Sequence, residues 1–319
     1  MNNYLRKFTG AVTVGLLALS MQAVMAAPQF REDTVLVRKS GGLFAAEIET
    51  QIYLPAVEGH FPIVVINHGH AEGKSALDMR ESLRGQALEF VKRGYVVVVP
   101  FRTGYSHSSG NSNIKASCFT ASLGRQWAED VIAAINYAKQ LPDADPTRIV
   151  VIGQSQGGFT TAALGSLSVS GVIGLVNFVG AAREPHCKEG YGPATDAYGA
   201  FGSASHVPAL FMYGDNDMYG SAAASDSVPR GYLNAYNDAG GQATLYDYGV
   251  YGNDSHVMFH HKDALSIWEP PVGKFFQSIG LSWDVVYPID DPHAWSKKKA
   301  REEAATGNEI SSDDQADGQ

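Results

Sequence analysis

The sequence predicts an α/β fold, a mostly parallel central sheet with helices on both faces. Three observations carry this. Runs at 62–67, 95–100 and 148–152 are apolar and β-branched almost throughout, as suits strands covered on both sides. Stretches with apolar residues at helical spacing alternate with them, and such alternation implies parallel pairing through crossover helices. The third run leads straight into Gly153-Gln154-Ser155-Gln156-Gly157-Gly158, a glycine-rich turn from strand to helix.

Taken in order, residues 34–38 and 47–54 alternate weakly and read as antiparallel edge strands. The run 62–67 follows and ends in His68-Gly69-His70. A helical pattern spans 75–93, with Gly94 as its stop. After the strand at 95–100, a Gly/Ser loop occupies 102–112. The next helix runs over 124–140, with Trp127, Val131, Ile132, Ile135 and Ala138 on one face, and is ended by Pro142 and Pro146. Beyond the glycine-rich turn come a helix at 160–166 and strands at 172–179, 209–213 and 243–248. Helical patterns at 231–237 and 264–276 complete the series. The segment 180–208 is too short for a large lid domain and reads as loop.

The bulk numbers suit one large domain. The chain has 319 residues, of which 45% are hydrophobic and 18% charged. The net charge is −9 with no basic patch, which argues against a nucleic-acid partner. The termini depart from this composition. Arg6 and Lys7 precede an apolar stretch over 8–25 that ends with Val24 and Ala26 at the −3 and −1 positions of a cleavage site. This is the three-part pattern of a secretory signal peptide at 1–26, with a membrane anchor as the alternative reading. Cleavage there removes two basic residues and no acidic one, taking the net charge from −9 to −11. The expected protein is exported, to the periplasm or outside the cell, with no stable membrane insertion. Residues 27–296 form the expected catalytic domain, and 297–319 read as a disordered charged tail.

Export bears on the two cysteines, Cys118 and Cys187. Disulfides persist outside the cytosol, so a bridge between them is expected, with two separate buried thiols as the alternative. The bridge would tie the loop at 102–119 to the loop at 181–206.

The chemistry-bearing motif is Gly153-x-Ser155-x-Gly157. A nucleophilic serine must leave its strand on a tight turn so that its Oγ projects alone, and side chains two positions to either side would collide. A strand before and a helix after are the context the motif needs, and both are predicted. The amide of Gln156 stands at the helix N-terminus, where it becomes the expected first donor to an oxyanion. His70, after the 62–67 strand, is the candidate second donor through its amide, with Ala71 next. A metal pair of His68 and His70 is the alternative, but no carboxylate or cysteine cluster completes it. No metal or cofactor is expected.

With these motifs the sequence resembles the α/β-hydrolase superfamily, and within it the dienelactone-hydrolase-like and secreted serine esterase branches. The resemblance covers about residues 62–276. It rests on His68-Gly69, on Pro100-Phe101-Arg102-Thr103-Gly104, on Asp145-Pro146-Thr147-Arg148-Ile149 and on the serine turn itself. Dienelactone hydrolases carry cysteine as nucleophile where this chain has Ser155, so their lactone substrate is not implied.

The resemblance implies an α/β-hydrolase fold with the order nucleophile, acid, histidine. Tyr213-Gly214-Asp215-Asn216-Asp217 follows a strand in the position of the family's acid, which maps to Asp217, with Asp215 as the alternative. The family's histidine loop is matched at Gly252-Asn253-Asp254-Ser255-His256-Val257-Met258-Phe259, which makes His256 the candidate base. His260 and His261 fall in the turn beyond. Ser155, His256 and Asp217 would then hydrolyse a small carboxylic ester through an acyl-enzyme, with a short peptide or amide as the second substrate reading. A non-catalytic binding protein on the same fold is the reading from another class. Arg102, Arg183 and Lys188 read as solvated surface charge, with contact to an anionic substrate as the alternative. Tyr105, Tyr191 and Tyr198 either line a pocket or pack loops. The oligomeric state is not legible.

Overall fold

The computed structural model describes residues 29–39, 46–71, 83–111, 118–180, 187–217 and 227–295. The expected signal peptide at 1–26, the tail at 297–319 and Arg183 lie outside the described residues, as does the first half of the helix expected from residue 75.

Eight strands form one sheet in the order β1-β2-β4-β3-β5-β6-β7-β8. They are β1 Phe30–Arg38, β2 Glu47–Pro55, β3 Phe61–Asn67, β4 Val96–Pro100, β5 Ala144–Gln154, β6 Val172–Phe178, β7 Pro208–Tyr213 and β8 Gln242–Asp247. The first two are antiparallel to each other, β2 is antiparallel to β4, and every later pairing is parallel. The β-branched runs lie at the centre, with Val64 facing Val97 on one side and Val150 on the other. All three valines are fully buried, which is why these strands carry no polar alternation.

The helices are α1 Arg84–Val91, α2 Ala121–Ala138, α3 Gln156–Gly165, α4 Gly192–Gly202, α5 Val228–Asp238 and α6 Leu265–Ser278. Two consecutive residues of β6 define the layers, because neighbours on a strand point to opposite faces. Asn177 donates to the Tyr198 hydroxyl of α4 at 3.0 Å. Phe178 packs edge-on against Trp268 of α6, with ring centroids 6.3 Å apart. Trp268 in turn stacks on Phe90 of α1 at 5.9 Å. On the other face, Phe159 of α3 contacts Trp127 of α2, Tyr198 and Phe201 of α4, and Tyr198 stacks on Tyr232 of α5 at 4.7 Å. Each face therefore has its own aromatic cluster.

One helix departs from expectation. The segment read as loop between β6 and β7 contains α4, whose sequence Gly-Pro-Ala-Thr-Asp-Ala-Tyr-Gly-Ala-Phe-Gly is poor in helix formers. Packing overrides propensity here. Ala194, Ala197, Tyr198 and Phe201 are buried at helical spacing, and Gly202 lets the helix end approach the Tyr236 carbonyl of α5 so closely that a Cβ has no room. Among the described residues no helix is long and apolar enough to cross a membrane.

Cys118 and Cys187 form a disulfide with a sequence separation of 69. Cys118 lies just before Thr120, which caps α2 by accepting from the Leu123 amide. Cys187 precedes α4. The bridge thus joins the chain at the starts of two neighbouring helices. Among the described residues the sole His/Cys/acid group with metal-like spacing is these two sulfurs plus Glu189, and the sulfurs are already bonded to each other.

Candidate active site

The parallel strands end along one edge of the sheet, where the loops after β3, β4, β5, β7 and β8 converge. β5 delivers Ser155. Its backbone has φ 56° and ψ −122°, the left-handed region that costs a non-glycine residue of order 1–3 kcal/mol. Its amide donates to the Phe178 carbonyl at 2.9 Å, and its carbonyl accepts from Phe159 at 3.1 Å. A Cβ on Gly153 would collide with the Gly157 carbonyl, and one on Gly157 would collide with the carbonyls of Asn67 and His68. The two glycines of the motif are thus required by contact between strand, turn and helix.

The loop after β8 carries His256. Its Nε2 lies 2.9 Å from Ser155 Oγ, and its Nδ1 lies 3.0 Å from Asp217 Oδ2. All three residues are nearly buried, at 6%, 9% and 8% exposure for Ser155, His256 and Asp217. With Nδ1–H donating to the carboxylate, Nε2 presents its lone pair to the serine hydroxyl. Asp215 does not reach the imidazole; its amide donates to the Gly249 carbonyl at 2.8 Å, holding the β7 and β8 loops together. His256 is held by its surroundings too. Asp254 accepts from its amide at 3.0 Å, and Tyr248 donates to the Ser255 carbonyl at 2.8 Å.

Solved structures share this arrangement of sheet and helices. An esterase from Pyrococcus furiosus aligns at 15% identity over 79% of this chain and 94% of that one, with a TM-score of 0.56. A Klebsiella pneumoniae protein assigned as a dienelactone hydrolase aligns at 14% identity over 78% of this chain and 98% of that one, at 0.55. The acylaminoacyl peptidase of Pyrococcus horikoshii aligns at 14% identity over 84% of this chain and 44% of that one, at 0.56. The fold is that of the α/β-hydrolase superfamily. Within the α/β-hydrolases, the family model described as X-Pro dipeptidyl-peptidase (S15 family) matches residues 42–184. That span takes in the serine turn and stops before Asp217 and His256. No curated protein sequence matches the chain.

The third loop of the site follows β3. His68 and Gly69 run beside the serine turn, and a Cβ on Gly69 would lie 2.5 Å from Gln154 Oε1 and 3.4 Å from Ser155 Cβ. The His70 amide therefore belongs to the segment that passes next to Ser155, as does the Gln156 amide at the start of α3. The His70 ring lies 2.7 Å from the Tyr105 hydroxyl. His68 is buried and does not pair with His70 as a metal site. Its Nε2 accepts from the Arg102 amide at 3.0 Å, which requires a neutral ring protonated at Nδ1. That Nδ1–H donates to the Gly69 carbonyl at 2.7 Å. Burial, reinforced by the Arg102 charge, holds the His68 pKa well below its ordinary value.

Arg102 corrects an expectation. It is 1% exposed rather than solvated, because the β4 loop turns its side chain inward under the β3 loop. Lys188 is exposed. Tyr105 and Tyr198 are buried: the first packs at 4.5 Å on His68, and the second belongs to the α4 core. Sequence reading missed two side chains, that of Gln154 and that of Gln156, of which the main-chain amide alone was expected to take part. Gln154 donates to the His256 carbonyl at 2.9 Å, and Gln156 Oε1 accepts from Arg102 at 2.9 Å and from Tyr105 at 3.1 Å. Both flank Ser155, where a polar side chain beside the buried serine was the available signal.

Proposed function

We propose that the chain is a serine hydrolase that cleaves carboxylic esters through an acyl-enzyme. The observation that carries this is the relay from Asp217 through His256 to Ser155, spaced 3.0 and 2.9 Å, with the serine held alone on a left-handed turn. His256 removes the Ser155 proton as Oγ attacks the acyl carbonyl, and Asp217 stabilises the imidazolium. The amides of Gln156 and His70 receive the negative charge that develops on the carbonyl oxygen. The imidazolium then protonates the leaving alcohol, and a water activated by the same ring releases the acid. The fold's esterase neighbours support the ester reading.

The test is hydrolysis of p-nitrophenyl esters of rising acyl length by the wild type and by Ser155→Ala. Activity lost in the variant supports the reading, and the chain-length optimum sizes the acyl pocket. A second reading, a peptidase of the same mechanism, is favoured by the match to the X-Pro dipeptidyl-peptidase family model. An X-Pro p-nitroanilide cleaved faster than any ester would select it. A folded protein that neither turns over nor takes a fluorophosphonate at Ser155 would be the non-catalytic binding protein. We also propose export with loss of residues 1–26, a reading with which the disulfide agrees. A secreted product beginning at Ala27, found by intact mass, is the outcome expected.

A further inference from the structure

We propose that Arg102 is the positioning residue of the oxyanion site, holding both donor segments and strengthening one donor electronically. This rests on the serine-hydrolase reading above. The guanidinium is buried; among the described residues it has no carboxylate within ion-pair distance, and its Nε and Nη1 have no hydrogen-bond partner. Burial lowers its pKa to about 10. A cation kept in so unfavourable a place needs a reason, and its few contacts supply one. Nη2 donates to Gln156 Oε1 at 2.9 Å and to the Gly69 carbonyl at 3.3 Å. These are the residue whose amide opens α3 and the peptide whose N–H belongs to His70.

The second contact is the more consequential. In a trans peptide the C=O and N–H point in opposite directions, and among the described residues there is no cis peptide. Fixing the Gly69 oxygen therefore fixes the direction of the His70 N–H. The same oxygen also accepts the Nδ1–H of His68 at 2.7 Å. Two donors on one carbonyl, one of them a cation, draw charge out of the amide and make its N–H a stronger donor, since hydrogen bonds in series polarise each other. The 3.3 Å approach of Arg102 Nη2 to His68 Nδ1 joins two donors and is contact only. Neutral His68 and charged Arg102 thus act on one peptide from the side away from the substrate. Arg102 touches no reacting atom.

The test uses Arg102→Met, which keeps length and removes charge, and Arg102→Lys, which keeps charge and loses the fork. For each, kcat, KM and the affinity of phenylboronic acid are measured, with p-nitrophenyl acetate as substrate. The boronate forms a tetrahedral adduct on Ser155 whose oxygen occupies the oxyanion position. Arg102→Met is expected to lower kcat by about 10- to 100-fold, less than the loss of a whole oxyanion donor. KM should stay within about twofold, and boronate affinity should fall in step with kcat. Arg102→Lys is expected to recover part of both. Unchanged kcat and boronate affinity in a folded Arg102→Met would overturn the assignment, as would a loss confined to KM. If Arg102→Met does not fold, Arg102→Lys decides: wild-type kcat and boronate affinity overturn the proposal, and a matched loss in both supports it. Fluorophosphonate labelling of wild-type Ser155 separates the two levels. A folded wild type that neither labels nor turns over sinks the hydrolase reading and this one with it. A wild type that does both, beside an unaffected Arg102→Met, sinks this one alone.

Discussion

The side-chain amide of Gln154 donates to the main-chain carbonyl of His256 at 2.9 Å. Its oxygen lies 3.2 Å from Nε2 of His260. The residue immediately before the proposed nucleophile therefore grips the loop that carries the proposed base, and both ends of one amide are engaged. Strand β5 sets the position of Ser155 and, through this amide, the height of the imidazole above it.

Gln154→Met keeps the volume and removes both contacts. The buried His256 carbonyl loses its donor, at a cost of about 1–3 kcal/mol, and the histidine loop is freed to shift. The expected result is a drop in kcat/KM of about tenfold or more, since small misplacements of reacting groups are costly. Steady-state kinetics together with the rate of fluorophosphonate labelling checks this; wild-type values in both would show that the loop is held without Gln154.

The backbone strain at Ser155 is measurable apart from its chemistry. Ser155→Ala and Ser155→Gly both remove the hydroxyl, but only glycine accepts φ 56° without penalty. The glycine variant should be more stable than the alanine variant by about 1 kcal/mol. That corresponds to a Tm higher by about 2–4 °C in a domain of this size. Neither variant should turn over ester. Equal melting temperatures would mean that the turn relaxes around alanine.

His68 predicts an acid limit to stability. Its folded pKa is depressed by burial from the ordinary value of 6.5. The native state thus resists a proton that the unfolded chain accepts, and ∂ΔG/∂pH is positive where the unfolded state binds more protons. The contribution is full above pH 6.5 and falls away progressively below it, towards the folded pKa. The Tm of the wild type should therefore drop more steeply from pH 7 to pH 5 than that of His68→Asn, which carries no titrating ring. Parallel Tm profiles would count against a neutral, buried His68.

The disulfide closes a loop of 69 residues, worth about 4 kcal/mol in the chain-entropy account. Reduction, or Cys118→Ser with Cys187→Ser, should lower the denaturant midpoint accordingly. The Ser155–His256 and His256–Asp217 distances should survive, because the bridge acts at the starts of α2 and α4 rather than on the β5, β7 or β8 loops. A large loss of kcat at a temperature where the reduced protein stays folded would contradict that separation.

The central strands were legible because buried parallel strands must be apolar on both faces, which leaves an unmistakable run such as Val96–Pro100. The serine turn was legible because steric exclusion demands glycine at 153 and 157. Helix α4 was not, because Gly192, Pro193 and Gly199 are poor helix formers and the helix exists through burial of Tyr198 and Phe201 against partners far away in sequence. Arg102 was misread for a related reason. Sequence gives the charge of an arginine but not which way a loop turns it, and its partners Gly69 and Gln156 lie on two other strand ends. The relation of His256 to Asp217 was inferred from resemblance; their 39-residue separation carries no local pattern.

The Ser155–His256 contact spans 101 residues. A chain growing from its N-terminus can complete the serine turn once β5, α3 and β6 are present, because the Ser155 amide donates to the Phe178 carbonyl, but the imidazole arrives only after β7 and β8 have been added at the far edge. Trp127 and Phe159 can pack early, from the middle of the chain, whereas the Ser155–His256 hydrogen bond waits for the last strand to dock. Recovery of that contact reports completion of the sheet, and a molecule stalled before β8 docks would hold a shaped serine turn with no imidazole beside it.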